Sequence, residues 1–211
     1  MFGLDSNFLL YLPGLLIALT VHEFAHGYVS FRLGDPTPKM QGRLSLNPVH
    51  HIDPMGFIMM VFFRFGWCKP VQINPFYFKD KRQGMLWVAL AGPLANFLFA
   101  LLTALLFGVL SFVLPVSLFY NSIFIQVIFG ILLYNINLGL FNLIPIAPLD
   151  GSKVLEGLLP PAFAYRYQAW MSQYGILILL AIMFTGAYRY IIGPIAGSLL
   201  NLMLSIIQAF L

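Results

Sequence analysis

Two histidines and a glutamate stand together in LTVHEFAHGYVSFRL, residues 19–33, inside a stretch otherwise apolar enough to lie in a membrane. The order His22-Glu23-Phe24-Ala25-His26 is H-E-x-x-H. On a helix, residues four apart share a face, so both imidazoles can bind one metal ion while Glu23 sits beside them, able to take a proton from a water held there. Two histidines and one further protein ligand would leave the fourth zinc position open to water, the arrangement of a catalytic rather than a structural zinc. Each ionisable group within a membrane span costs roughly 2.5–3.5 kcal/mol on insertion scales. A cluster of three therefore requires partners or a metal, the plainer alternative being a buried His–Glu–His hydrogen-bond cluster.

The third ligand must come from elsewhere, and candidates are few. No Asp, Glu, Lys, Arg or His occurs from Gln83 through Leu149, and Asp150 is the first charged residue after Arg82. It closes FNLIPIAPLDGSKV, where Pro145 and Pro148 must interrupt the preceding helix. Unwound backbone near membrane depth is tolerated only inside protein or beside a cavity, and a carboxylate there could reach a metal held by the first helix. Two other readings stand beside this one. Asp150 also suits a simple helix N-cap before GSKVLEGLL, and His50 and His51 are rival ligands among turn residues.

The elements that must position these groups follow from composition. Of 211 residues, 60% are hydrophobic and only 9% charged, against about 25% charged in an average soluble domain. Too few polar groups exist to cover a water-exposed surface, so a polytopic membrane protein is expected. Spans need about 20 apolar residues. Segments 7–32, 84–114, 121–142, 167–188 and 191–211 qualify, giving about five transmembrane helices in an all-α protein with a single domain over 1–211. Segment 34–83 is different. It is punctuated by Gly34-Asp35-Pro36, Asn47-Pro48, Asp53-Pro54 and Asn74-Pro75, and the pieces between are short and rich in strand formers. A small membrane-associated β-region, or re-entrant structure at 55–63, is expected there.

Eight of the eleven Lys and Arg residues fall between the first and second spans. The positive-inside rule then makes that connection cytoplasmic and the N-terminus external, as expected in the cytoplasmic membrane. From Leu33 back to the motif is about ten residues, which at 1.5 Å each puts the site ~15 Å along the helix from its cytoplasmic end. The net charge of +4 has no basic, aromatic-interleaved patch behind it, so no nucleic-acid partner is implied. Cys68 is alone and cannot form an intrachain disulfide. The N-terminal MFGLDSNFLL lacks the basic region of a cleavable signal peptide, so the first helix is expected to be retained.

Three motifs in order, HEFAH in an apolar helix, AGPLANFLFA in a later one and NLIPIAPLDG at the end of the next, resemble the site-2 protease family of intramembrane zinc metalloproteases. The resemblance spans nearly the whole chain. It implies one zinc held by His22, His26 and Asp150, Glu23 as general base, and Asn142 near the cleft, helping to hold the substrate backbone or an oxyanion. It also matches Gly92 and Asn96 to a G-x-x-x-N motif. Ala147 and Ser152 depart from the family's usual proline and glycine, touching the loop's stiffness rather than the ligands. No PDZ or CBS domain is visible, as in a minimal member.

The implied activity is a zinc metalloendopeptidase acting on a peptide bond in or near a transmembrane segment of a membrane-protein substrate, within the lipid bilayer. A membrane metal-ion transporter or metal-binding protein using the same His/His/Asp site is the alternative. The two differ in what Glu23 must do. As plain packing, Asn96, Asn135 and Asn137 would be interhelical hydrogen-bond glue.

Overall fold

The computed structural model describes residues 6–63, 66–115, 117 and 121–210. Helices account for most of it: α1 (Ser6–Arg32), α2 (Thr37–Met40), α3 (Pro54–Phe63), α4 (Lys81–Leu110), α5 (Ser122–Asn142), α6 (Asp150–Leu158), α7 (Pro161–Thr185) and α8 (Tyr188–Gln208). Short 3₁₀ turns occur at Pro48–His50 and Pro75–Tyr77. By length and composition, α4, α5, α7 and α8 can each cross a membrane, and the chain is an integral membrane protein. Four such spans are found among the described residues where five were expected. The fifth candidate, α1, is long enough at 27 residues, but the His22–Glu23–His26 cluster sets it apart from the other four.

The helix boundaries have local causes. The Asp80 carboxylate accepts from the amides of Arg82 and Gln83 and so caps α4, and Asn121 caps α5 in the same way. Both satisfy donors that a helix start leaves unpaired. Gly186, at φ +72°, ends α7 in the left-handed conformation that suits glycine.

The β-region expected within 34–83 is not found among the described residues. One isolated antiparallel bridge, Ile52 to Cys68, is its only trace. Residues 54–63 form α3 instead of a strand, because Asp53 accepts from the Gly56 amide and Pro54 takes the first helical position. Prolines at 36, 38, 48, 54, 70 and 75 remove the amides a ladder would need. Asn47 and Asn74 cap the two 3₁₀ turns. The segment is held by a buried carboxylate: Asp35 accepts from the Ser30 hydroxyl and from the amides of Thr37 and Asn74. That ties residues 30, 37 and 74 to one point below α1.

Helices α1, α4 and α5 pack on one another, with α8 against α4 and α5 and α6 against α4 and α7. On α4, Val88, Gly92, Asn96, Ala100 and Ala104 make a buried stripe at four-residue spacing. Leu94, Leu98, Leu102 and Leu106 are exposed on the outer face, where lipid belongs. Small inward residues allow the close helix contact that drives packing when burial from water no longer does. The α1–α5 crossing shows the limit, since a Cβ on Gly14 would lie 2.5 Å from the Gly130 carbonyl carbon. Asn96 and Asn135 are fully buried where the three helices meet. Intramembrane side-chain hydrogen bonds contribute on average only about 0.6 kcal/mol, so stability alone is a weak reason for burying two asparagines.

Candidate metal centre

Helices α1 and α4 meet in antiparallel register, with Ala18, His22 and His26 against Asn96, Gly92 and Val88. The Nδ1 atom of His22 lies 2.8 Å from Asn96 Oδ1, and a carbonyl oxygen only accepts, so that nitrogen carries the proton. His26 Nδ1 likewise donates to the Val88 carbonyl at 2.7 Å. Both Nε2 lone pairs are thereby left free on the other side of the rings. Between these contacts Gly92 makes the space: a Cβ there would sit 2.5 Å from His26 Nε2 and 2.6 Å from His22 Cε1.

Asp150 arrives from the other side. It is the first residue of α6, and the N-cap position belongs to Leu149, in extended conformation. The N-cap reading therefore does not describe it. Instead Oδ2 lies 3.0 Å from His22 Nε2 and 3.0 Å from His26 Nε2, which are themselves 3.0 Å apart. Three lone-pair atoms facing one another repel unless a cation lies among them. Zinc with ligand bonds of 2.0–2.1 Å would separate tetrahedral donors by about 3.3 Å, within a few tenths of what the side chains already provide. This donor set fits zinc.

The three residues border a cavity of about 190 Å³ that Glu23, Asn142, Val71 and Lys153 also line. Glu23 Oε2 accepts from the Val71 amide at 3.0 Å, so the carboxylate is anchored by the segment that follows Cys68. That segment is fixed in turn, because Arg43 is buried and its guanidinium donates to the carbonyls of His50 and Lys69. Asn142 closes α5 and donates through Nδ2 to the Leu138 carbonyl. The rival histidines lie apart from the centre. His51 is buried with Nε2 on the Ser45 carbonyl, and His50 Nδ1 faces the Gly42 carbonyl.

Partners the sequence did not assign are the Val88 carbonyl, the Val71 amide and the space at Gly92. Backbone groups leave no mark in a sequence. The four-residue spacing of Val88, Gly92 and Asn96 against that of His22 and His26 was the available signal.

Comparison with known proteins bears on the class of the chain. A model of peptidase family M50 matches residues 115–184. A Bacillus subtilis (strain 168) protein named "Putative zinc metalloprotease YwhC" is 37% identical over 210 residues, covering 93% of this chain and 92% of its own. "Putative zinc metalloprotease Rip2" of Mycolicibacterium smegmatis is 32% identical over 191 residues, 85% of this chain and 68% of its own. "Zinc metalloprotease MJ0392" of Methanocaldococcus jannaschii is 27% identical over 153 residues, 72% of this chain and 34% of its own. No solved structure matches the chain. A membrane-embedded fold with such relatives defines the class: the protein is a zinc metalloprotease. More particularly, the chain belongs to peptidase family M50, the site-2 protease family.

Proposed function

We propose that this protease cleaves a peptide bond within or beside a transmembrane segment of a membrane-protein substrate, with His22, His26 and Asp150 holding zinc and Glu23 as general base. The observation that carries the reading is the convergence of three metal-binding atoms from helices 128 residues apart in sequence, at 3.0 Å, on a cavity that also holds Glu23. Bound there, zinc supplies Lewis acidity that polarises the scissile carbonyl and acidifies a water.

The chain's own residues do the rest. Glu23 accepts the proton of the attacking water and returns it to the leaving amine. The Val71 amide holds that carboxylate in the cavity, and its hydrogen bond to Oε2 leaves Oε1 to take the proton. Asn142, on the cavity wall, is placed to hold the substrate backbone near the reacting carbonyl. A transmembrane substrate must unwind locally, since an intact helix commits its carbonyls to its own amides. We read α1 as a fifth membrane-embedded helix, with its N-terminus outside and 34–80 at the cytoplasmic face of the cytoplasmic membrane.

Metal content of purified variants tests the ligand set. About one zinc per chain is expected in the wild type, and His22→Ala, His26→Ala and Asp150→Ala should each lose most of it. His50→Ala and His51→Ala should keep it. Normal zinc in Asp150→Ala together with loss in either of the last two would refute the assignment.

A further inference from the structure

Metal binding at His22 depends on which of its ring nitrogens carries the proton, and the structure traces that choice across two further helices. Only a protonated Nδ1 leaves Nε2 free for a metal. Nδ1 stays protonated because Asn96 presents Oδ1 to it at 2.8 Å. A primary amide turned over would present its NH₂ instead, donate to Nδ1, and leave the proton on the nitrogen that must face zinc.

The Asn96 amide is kept from turning by its other contacts. Its Nδ2 donates to the Ala18 carbonyl and to Asn135 Oδ1, both at 2.9 Å. Asn135 could itself turn over, but its Nδ2 donates to the Ile131 carbonyl at 2.8 Å, one turn back on α5. Its oxygen must therefore face Asn96. Both asparagines are 0% exposed, so no water substitutes for either partner. The direction of every hydrogen bond runs one way, from a backbone carbonyl of α5 through two amides to the imidazole on α1.

We infer that Asn135 is a positioning residue for the zinc site: through Asn96 it fixes the proton on His22 Nδ1, and so sets metal affinity without touching the metal. It rests on the reading of His22 as a ligand. Removing an outer partner of a metal-binding histidine typically weakens metal binding by about 10–100-fold.

Zinc affinity measured by competition with a chromophoric chelator, on detergent-purified full-length protein, tests the inference in a double-mutant cycle. Asn135→Leu keeps the volume and removes the acceptor, and should weaken zinc by about tenfold or more. Asn96→Leu removes the amide through which Asn135 acts, so in that background Asn135→Leu should change affinity by less than about twofold. Asn135→Asp, neutral in so apolar a place, can donate to Ile131 and accept from Asn96, and should restore near wild-type affinity. With cobalt in place of zinc, the visible absorption of Asn135→Leu should shift, and that of Asn135→Asp should not. An equal loss from Asn135→Leu in both backgrounds would make Asn135 merely structural and overturn the inference. So would wild-type affinity in Asn135→Leu while His22→Ala binds weakly. Wild-type affinity in His22→Ala would instead overturn the ligand reading on which the inference stands.

Discussion

Replacing Gly92 with alanine adds one carbon, and the structure says where it goes. The new Cβ would lie 2.5 Å from His26 Nε2, 2.6 Å from His22 Cε1 and 2.7 Å from His26 Cε1. Non-bonded carbon and nitrogen atoms settle near 3.5 Å, so both rings must retreat by about 1 Å. They cannot retreat freely, because each is tied through Nδ1 to α4 itself, at Asn96 and at Val88. A misplacement of about 1 Å commonly costs on the order of 10²-fold in rate, and zinc affinity should fall at least about tenfold. Helix propensity acts in the opposite sense, since alanine is better than glycine in a helix interior by about 1 kcal/mol. The variant should therefore fold and lose its metal. Zinc per chain by plasma mass spectrometry, with cleavage of a reconstituted transmembrane substrate, provides the assay. Gly108→Ala is the matched control on the same helix, where the added carbon meets only the Phe210 side chain at 2.5 Å; its zinc should be unchanged. Full zinc and full turnover in Gly92→Ala would refute the close packing of the histidines on α4.

Burial, Glu23 and Asp53 push the Cys68 thiol from 9.0 up to about 12 against the opposing effect of Arg43. At pH 8 its thiolate population, and hence its maleimide labelling rate, should be about a thousandfold below an ordinary cysteine's. A cysteine at exposed position 79 should label at an ordinary rate, and from the cytoplasmic side only; fast labelling of Cys68, or labelling of position 79 from outside, would contradict this. Asp35 predicts a pH effect. Burial raises its pKa, but hydrogen bonds from Thr37, Asn74 and Ser30 outweigh burial and bring it below the ordinary value. A depressed carboxyl contributes stability that is present above its unfolded pKa of about 3.9 and is lost as pH falls through the folded value. Protease nicking near residue 74 should therefore rise below about pH 4 in the wild type, and Asp35→Asn should show raised nicking at pH 7 and less change with pH. A wild type equally resistant at pH 3 and pH 7 would argue against it.

What the sequence made legible was whatever side chains write into spacing. The H-E-x-x-H pattern, the long uncharged run before Asp150 and the prolines at 145 and 148 together singled out the residues that the structure brings to one point. The apolar runs located the helices α4, α5, α7 and α8 to within six residues at each end. The short β-branched or aromatic pieces of 34–83 suggested strands that are not found among the described residues, where 54–63 is the helix α3. Sequence spacing does not show that Asp53-Pro54 starts a helix more strongly than the following residues favour a strand. The orientation of His22 and His26 was also hidden, since one partner is a backbone carbonyl and the other an asparagine in an otherwise apolar stretch of α4. Asn96 could be read from sequence as ordinary helix-to-helix glue; only the 2.8 Å contact to Nδ1 assigns it to the metal site.

The central claim is that Glu23 moves the proton while His22, His26 and Asp150 hold the metal. Glu23 shares the cavity with the three ligands but is bonded to the Val71 amide rather than to them, so its carboxylate can be neutralised without disturbing the metal. Glu23→Gln, assayed after reconstitution with a transmembrane substrate and with zinc content measured on the same sample, is the direct measurement. General-base assistance is typically worth roughly 10²–10⁴-fold. The account predicts about one zinc per chain and cleavage at least about a hundredfold slower than wild type. Wild-type cleavage by a fully zinc-loaded Glu23→Gln protein would contradict it.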